Sequence, residues 1–539
     1  MSSAKSIAIA LTGIGGDRVD VEAHIASGLP KFLLVGLPDT ALGEALDRVR
    51  AALQSTGCSL PADRVTVNLS PASLRKHGSG FDLAIAVSVL AASGVIDTTG
   101  PARTVHVGEL GLDGTVRPVP GILPVVAAAA RAGAARVMVP AASAAEASLV
   151  EGVEVLPVAS LRAAAMHYGA DAETLADEPA ESPTSRQHSS TSAVAASGRS
   201  APLAHATSSA AGRDLADVVG NDEAVRALVI AAAGGHHLLM VGPPGAGKTM
   251  LAERLVDVLP DLEVERAIEV AAVRSLRGLT VTSPLDRRPP MQAPHHTAST
   301  AALLGGGSGA IRPGAVSLAT NGVLFLDEAP EFSRDVLDSM RQSLESGRHV
   351  VHRAAGVAEF PAAYQLVLAA NPCPCGNAGS IDQPCMCTPM QQRRYLARLS
   401  GPLLDRVDVQ LRVERVSGAM QRVAQAELEA GRASGMTTAE ARGRVCDARA
   451  AAHERLASTP WRTNRQVSGK WLRSGPVRLP PSETSDLDRA LDRGLLTMRG
   501  YDRVLRVAWS IADLDGAGRP GRGHLREALF YRMSTRALT

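Results

Sequence analysis

The chain has 539 residues, room for roughly three or four domains, and 45% of them are apolar, enough for large cores that its 3% aromatic content makes aliphatic. Its formal net charge of +2 neither demands nor excludes a polyanionic partner. No apolar run free of charge or turn residues reaches membrane-spanning length, and no basic-then-apolar leader opens the chain, so a cytoplasmic protein without a membrane partner is expected, its six cysteines reduced rather than paired in disulfides.

Residues 1–170 alternate short apolar strands with Ala-rich helices. Strands are expected at 65–69 and 136–140, helices at 81–92 and 125–132. Residues 171–213 turn to Ser, Ala, Thr, Pro and scattered charges, a composition that cannot bury a core and predicts a disordered linker. A βα pattern follows over 214–415. Residues 416–539 read as mostly helical, with a Pro-rich break at 474–482.

Within the βα region, Gly242, Pro243, Pro244, Gly245, Ala246, Gly247, Lys248 and Thr249 fit the phosphate-loop pattern G-x-x-x-x-G-K-[ST]. They sit between an apolar strand at 237–241 and a helix at 250–259. Glycines let backbone N–H groups face phosphate oxygens, and the helix N-terminus adds a favourable field for anions. Lys248 can reach the β- and γ-phosphates of ATP, and Thr249 can hold Mg²⁺. The apolar run 323–326 then ends in Asp327 and Glu328, acids at the carboxyl end of a buried strand, where nucleotide crevices open. Asp327 would position Mg²⁺ and Glu328 would polarise the attacking water; the alternative is a core strand that runs into a solvated acidic turn. A helix is expected at 335–345, a hairpin at 350–365, and a strand at 366–370 ending in Asn371, whose amide could orient water against the γ-phosphate. His295 and His296, between the two nucleotide motifs, are either ligands, pocket groups or loop residues that satisfy their own turn.

Just past Asn371, Cys373, Cys375, Cys385 and Cys387 crowd into a short Pro- and Gly-containing stretch, while Cys58 and Cys446 stand apart. Four thiols so spaced can form a tetrahedral Zn²⁺ site, although Cys-x-Cys is less usual than Cys-x-x-Cys. Reduced thiols without a metal and an iron–sulfur cluster are the alternatives. For DNA, the hairpin carries His352 and Arg353 near its start, and Arg341, Arg348 and Arg353 could track phosphates. So could Arg462, Arg465, Lys470, Arg473 and Arg478, interleaved with Trp461 and Trp471. Solvated charge and core tryptophans are the bland readings of both groups.

Segments 235–244, 293–296, 322–328, 371–376 and 400–406 together resemble the YifB/ComM family of magnesium-chelatase-like AAA+ ATPases. The resemblance runs over nearly the whole chain outside the linker. It implies an α/β fold class with an N-terminal Lon-protease-like domain (1–170), the linker (171–213), a P-loop AAA+ α/β/α core of helix-2-insert type (214–415) and a C-terminal helical lid (416–539). It also implies ATP hydrolysis with Mg²⁺ by a ring, a homo-hexamer, and for the ComM branch DNA helicase or branch-migration activity in uptake and recombination of DNA. Asn371 takes the sensor-1 position. Arg406 takes the arginine-finger position, reaching a neighbour's γ-phosphate. Arg499 takes the sensor-2 position, acting in cis, with Arg503 one helical turn on as its competitor. In segments 75–86 and 107–119 the N-terminal domain resembles Lon proteases, yet the nucleophilic Ser position falls on Gly80 and the Lys position on Leu123; Ser79, Lys76 and Lys31 do not replace them. No peptidase activity is expected, and the domain is expected to serve assembly or a protein partner. A protein remodeller, a magnesium chelatase subunit and an ATP-dependent protease are the competing functions.

Overall fold

The computed structural model describes residues 2–36, 40–58, 63–74, 76–173, 175, 213–307, 311–353, 356–378, 384–430 and 435–534. Most of the expected linker, 174 and 176–212, lies outside them.

The N-terminal domain is built on a seven-stranded sheet in the order Lys31–Val35, Arg64–Ser70, Gly15–Ala26, Ser2–Thr12, Thr104–His106, Arg136–Pro140, Glu154–Val158. Its spine is the long antiparallel pair in which Ser2 faces Ile25 and Thr12 faces Gly15. Strand alternation points Val19, Val21, Ala23 and Ile25 inward, and all four are buried. The helix Asp82–Ala92 is buried along its whole length, as an all-round apolar sequence requires. The expected strands and helices of this domain are all present, with the second helix spanning Ile122–Arg131.

The central domain carries a parallel five-stranded sheet in the order Met291–Gln292, Val323–Leu326, Gln365–Ala370, Leu238–Val241, Val409–Arg412. Continuous apolar runs fit strands covered by helices on both faces, and Val323–Leu326, Gln365–Ala370 and Leu238–Val241 are buried throughout. The strand that leads to Asn371 lies between the phosphate-loop strand and the acid strand: Leu238 pairs with Val367, and Phe325 pairs with Val367 from the other side. Helix Arg334–Ser346 leads through Gly347 (φ 68°) into a hairpin of Arg348–Arg353 and Gly356–Pro361. The hairpin is thus shorter than the 350–365 expected, because Gln365 already belongs to the next sheet strand, where its side chain donates to the carbonyls of Ala231 and His236.

Helices Thr438–Leu456, Gly469–Ser474, Pro481–Asp492, Met498–Leu514 and Arg522–Met533 form the C-terminal part. The Pro-rich break falls between the second and third of these. A buried polar network joins them to the amino ends of the sheet strands. Asp408 accepts from Arg503 at 2.5 Å and from the His237 backbone N–H at 3.3 Å. His236 bonds Ser510 at 2.8 Å, and Arg465 meets His237 at 3.0 Å. Arg503 and its neighbours hold the Asp408 carboxyl well below the usual carboxylate range despite the opposing cost of burial.

The N-terminal domain is docked on the central one. Its helix Ile122–Arg131 packs on the helix Val264–Leu276. Gly121 N–H donates to the Ser275 carbonyl at 3.0 Å, and fully buried Leu123 packs with Ala271 and Ala272. A second contact joins the two domains at the hairpin, where Ile14 packs on Val351, Ala358 and Phe360. There the Gly13 turn runs so close that a Cβ would lie 2.1 Å from the Glu359 carbonyl oxygen. Leu123, where the resemblance to Lon proteases would put a lysine, is therefore part of an interdomain joint.

Candidate functional site

The phosphate loop joins strand Leu238–Val241 to helix Lys248–Val258. Gly245 (φ 76°) and Gly247 (φ 87°) take left-handed backbone that a side chain would strain, and a Cβ on Gly245 would point into open space. That leaves a bare concave backbone ahead of a helix N-terminus, a cradle suited to phosphate. The Lys248 ammonium folds back over this loop. It donates to the carbonyls of Gly242 at 2.7 Å and Pro243 at 2.9 Å and to Asn371 Oδ1 at 3.1 Å. Burial lowers its pKa, while Asp327 and Glu328 pull the other way.

Thr249 Oγ1 donates to Asp327 Oδ2 at 2.9 Å. A hydroxyl and a carboxylate at that separation form an oxygen donor set of the kind Mg²⁺ takes beside substrate phosphates, so these residues fit the ion. Asp327 also accepts the Glu328 backbone N–H at 2.9 Å. Glu328 itself is one of two non-glycine residues among those described with positive φ (49°), a conformation that costs energy and gathers at functional sites. Its side chain is half exposed and meets His296, Nδ1 to Oε2, at 3.2 Å. Lys248, Thr249, Asp327, Glu328 and Asn371 are thus brought to the carboxyl ends of three adjacent strands. Tyr395 was not anticipated from sequence: it is buried, and its hydroxyl meets the Asn371 backbone. A lone Tyr in a helix carries no motif that could have signalled it.

The three other arginines behave differently. Arg406 makes no bond to this group; it pairs with Glu345 and donates to the Pro402 carbonyl at 2.5 Å. Arg503 is committed to Asp408 and to the Arg406 carbonyl, at the sheet edge opposite the phosphate loop. Arg499 is exposed, one helical turn away. Through Arg503, helix Met498–Leu514 is tied to the Arg406 segment.

Cys373, Cys375, Cys385 and Cys387 bring their sulfurs within 4.8 Å of one another. Cys373 and Cys375 are 3.3 Å apart, and each is 3.6 Å from Cys385. These spacings are far beyond an S–S bond and near the ~3.8 Å edge of a tetrahedron with Zn–S of about 2.3 Å. Backbone N–H groups of Ala378 and Cys387 donate to Cys373 and Cys385 at 3.3 and 3.4 Å and fix the sulfurs in place. The donor set fits Zn²⁺.

The basic residues considered for DNA divide sharply. Arg348 pairs with Glu359 across the hairpin, and Arg341 with Asp338. Arg462 and Arg473 pair with Glu263 and Asp502, Arg465 is buried on His237, and Trp461 packs edge-on against Trp471 within the lid core. His352 and Arg353 remain exposed near the hairpin tip, and Lys470 is exposed in the lid. Arg353 lies over Gly306, where a Cβ would come within 2.9 Å of its guanidinium.

Family models agree with this anatomy. The model described as magnesium chelatase, subunit ChlI, matches residues 214–421; further ChlI models match 21–143 and, for the C-terminal part, 435–532. The competence protein ComM of Haemophilus influenzae is 39% identical over 540 residues, covering 100% of this chain and 99% of its own. The chain belongs to the YifB/ComM family of magnesium-chelatase-like AAA+ ATPases. Within it, a protein of Mycobacterium tuberculosis is 46% identical over 538 residues, with 99% of both chains covered. YifB of Escherichia coli is 37% identical over 534 residues, covering 98% of this chain and 97% of its own. No described helix is long and apolar enough to cross a membrane.

Proposed function

We propose that this YifB/ComM member hydrolyses ATP with Mg²⁺ and, as a homo-hexameric ring in the cytoplasm, uses that cycle to move or remodel DNA during its uptake and recombination. The observation that carries the ATPase reading is the joining of Lys248 to Asn371 and of Thr249 to Asp327 around one bare glycine loop. Lys248 would leave its loop carbonyls for phosphate oxygens, and Asn371 and Glu328 would orient and polarise the attacking water. Thr249 and Asp327 would hold Mg²⁺, which neutralises charge on the phosphates. Arg406, always charged and forked, suits a neighbour's γ-phosphate once released from Glu345. Arg499, exposed at the start of helix Met498–Leu514, would serve as the sensor-2 arginine, since Arg503 is committed to Asp408.

The DNA reading rests on full-length similarity to a competence protein and on His352 and Arg353 exposed near the hairpin tip. In the C-terminal stretch Arg462, Arg465 and Arg473 are paired or buried, while Lys470 and Arg478 are exposed. The second reading is a protein remodeller that docks substrates on the N-terminal domain; peptidase activity is not proposed, because the dyad positions hold Gly80 and buried Leu123. The four cysteines would hold one structural Zn²⁺, testable by metal analysis of protein purified without chelator. Steady-state ATP hydrolysis, without DNA and with single-stranded, duplex and forked DNA, tests the whole. Stimulation lost in Glu328→Gln supports the motor; Glu328-dependent hydrolysis indifferent to every DNA form moves the reading to the protein remodeller.

A further inference from the structure

Helix Arg334–Ser346 opens on a cation and carries an acid, Glu345, in its last turn. The helix dipole disfavours an acid there, and Glu345, largely exposed, is spent on Arg406 of its own subunit. At the other end of the helix, roughly 17 Å away at 1.5 Å per residue, Arg334 lines an open cleft of about 560 Å³ with Glu331, Arg394 and Arg398. The cleft holds more positive than negative charge. Arg398 is paired with Glu331 at 2.8 Å. Arg334 comes only within 3.7 Å of Asp338, a carboxylate that already accepts from Ser400 Oγ at 2.9 Å. Arg394 is exposed and meets no carboxylate among the described residues. The cleft also borders the nucleotide cradle. Tyr395, on the helix Pro389–Leu396 that carries Arg394, reaches the Asn371 backbone with its hydroxyl, and Glu331 stands just past Glu328 in the chain.

We propose that this cleft receives the next subunit of the ring, head to tail, and that Arg394, with Arg334 beside it, takes over Glu345 of the partner subunit when the partner subunit's Arg406 turns to phosphate. This rests on the ring and arginine-finger reading above and names the face that completes it. Arg406 and Glu345 are in contact, so wherever Arg406 is carried, Glu345 is carried with it. Brought to a triphosphate, the partner subunit's Glu345 stands as a released acid beside dense negative charge and is repelled unless a cation meets it. The unspent cations of the cleft lie on the rim of that same cradle, which supplies the charge complementarity. The two patches differ, an acid at one end of the helix and arginines at the other. Contacts between unlike patches close rings, whereas two-fold dimers join like ones.

The test is assembly of the full chain, followed by mass photometry with Mg²⁺ and a slowly hydrolysed ATP analogue. Wild type is expected to form rings. Arg394→Glu, and separately Glu345→Lys, should raise the protein concentration for half-assembly about tenfold or more, since like charges then face each other across the contact. Both side chains are exposed, so neither change disturbs a core, and each isolated variant should bind a fluorescent ATP analogue as wild type does. Mixing the two variants in equal amounts should restore most of the assembly, because every contact in an alternating ring again pairs opposite charges. Assembly of Arg394→Glu equal to wild type, or a mixture that stays as weak as its components, overturns the inference and leaves the ring reading standing. Wild type that stays monomeric with nucleotide overturns the ring reading itself, and the inference with it.

Discussion

Gly376, in the cysteine turn, lies against Pro244 of the phosphate loop so closely that a Cβ on Gly376 would stand 2.6 Å from Pro244 Cδ. Gly376 also has φ 81°, and its N–H closes the turn on the Cys373 carbonyl at 3.0 Å. The thiol cluster and the nucleotide cradle are therefore one packed unit. Gly376→Ala must strain the left-handed turn, by about 1–2 kcal/mol, and push on Pro244. The expected result is a several-fold rise in KM for ATP with metal content unchanged. Nucleotide titration beside metal analysis checks it; loss of metal with normal KM would show that the turn serves only the cysteines.

The two charged groups of the cradle should fail in different ways. Lys248→Ala removes the ammonium that the loop carbonyls and Asn371 hold ready, and nucleotide binding should drop by tenfold or more, consistent with about 1.5–3 kcal/mol for a hydrogen bond to a charged group. Glu328→Gln keeps the size of the side chain and should bind ATP normally while turnover falls by about 10²-fold or more. Binding of a fluorescent ATP analogue together with phosphate release separates the two. Normal turnover in Glu328→Gln would mean that another group polarises the water.

Much of this was legible in the sequence because it is local. The phosphate loop, the acid pair after 323–326 and the amide at Asn371 are each announced by an apolar strand running into a polar tip, and strand and tip are contiguous in the chain. The packing of Gly376 on Pro244 was not legible, nor was the contact of His296 with Glu328, since each joins segments whose approach is set by the order of the sheet. The sequence likewise could not tell free arginines from spent ones. Arg462 and Arg465 look alike in a basic stretch, but one reaches Glu263 and the other is buried beneath the sheet on His237. Leu123 could be read as a missing base; that it packs on the helix Val264–Leu276 required the two domains side by side.

Acid should loosen the N-terminal sheet at a defined point. His106 is wholly buried between the Ile7 carbonyl and the Tyr168 hydroxyl, and burial lowers its pKa to about 4. The unfolded chain takes up that proton near pH 6.5 and the folded chain does not, so stability present above pH 6.5 is lost as pH falls toward 4, on the order of 3 kcal/mol from this residue. Hydrogen exchange in strands Ser2–Thr12 and Thr104–His106 should accelerate between pH 7 and 5 after correction for intrinsic rates. His106→Gln should flatten that dependence; an unchanged slope in the variant would assign the acid sensitivity to other groups.

The interdomain joint makes the last prediction. Leu123 N–H lies within reach of both Glu146 Oε1 at 3.1 Å and Ser275 Oγ at 3.4 Å, and its side chain is buried on Ala271 and Ala272. Leu123→Lys would place at this position the residue type a Lon dyad uses. With Gly80 at the position of the Lon nucleophile there is still no nucleophile, so no peptidase activity should appear. The ammonium would be desolvated against two alanines, a cost of several kcal/mol unless the joint opens. Opening is the expected outcome, because the N-terminal domain has its own core and can separate without unfolding. Hydrogen exchange should then rise in helices Ile122–Arg131 and Val264–Leu276 and leave helix Asp82–Ala92 protected. Ser275→Ala loses only a side-chain acceptor, because the Gly121 bond uses the Ser275 backbone, and should give a smaller change in the same two helices. If exchange rises in helix Asp82–Ala92 as well, Leu123 is a core residue of its own domain first and a docking residue second.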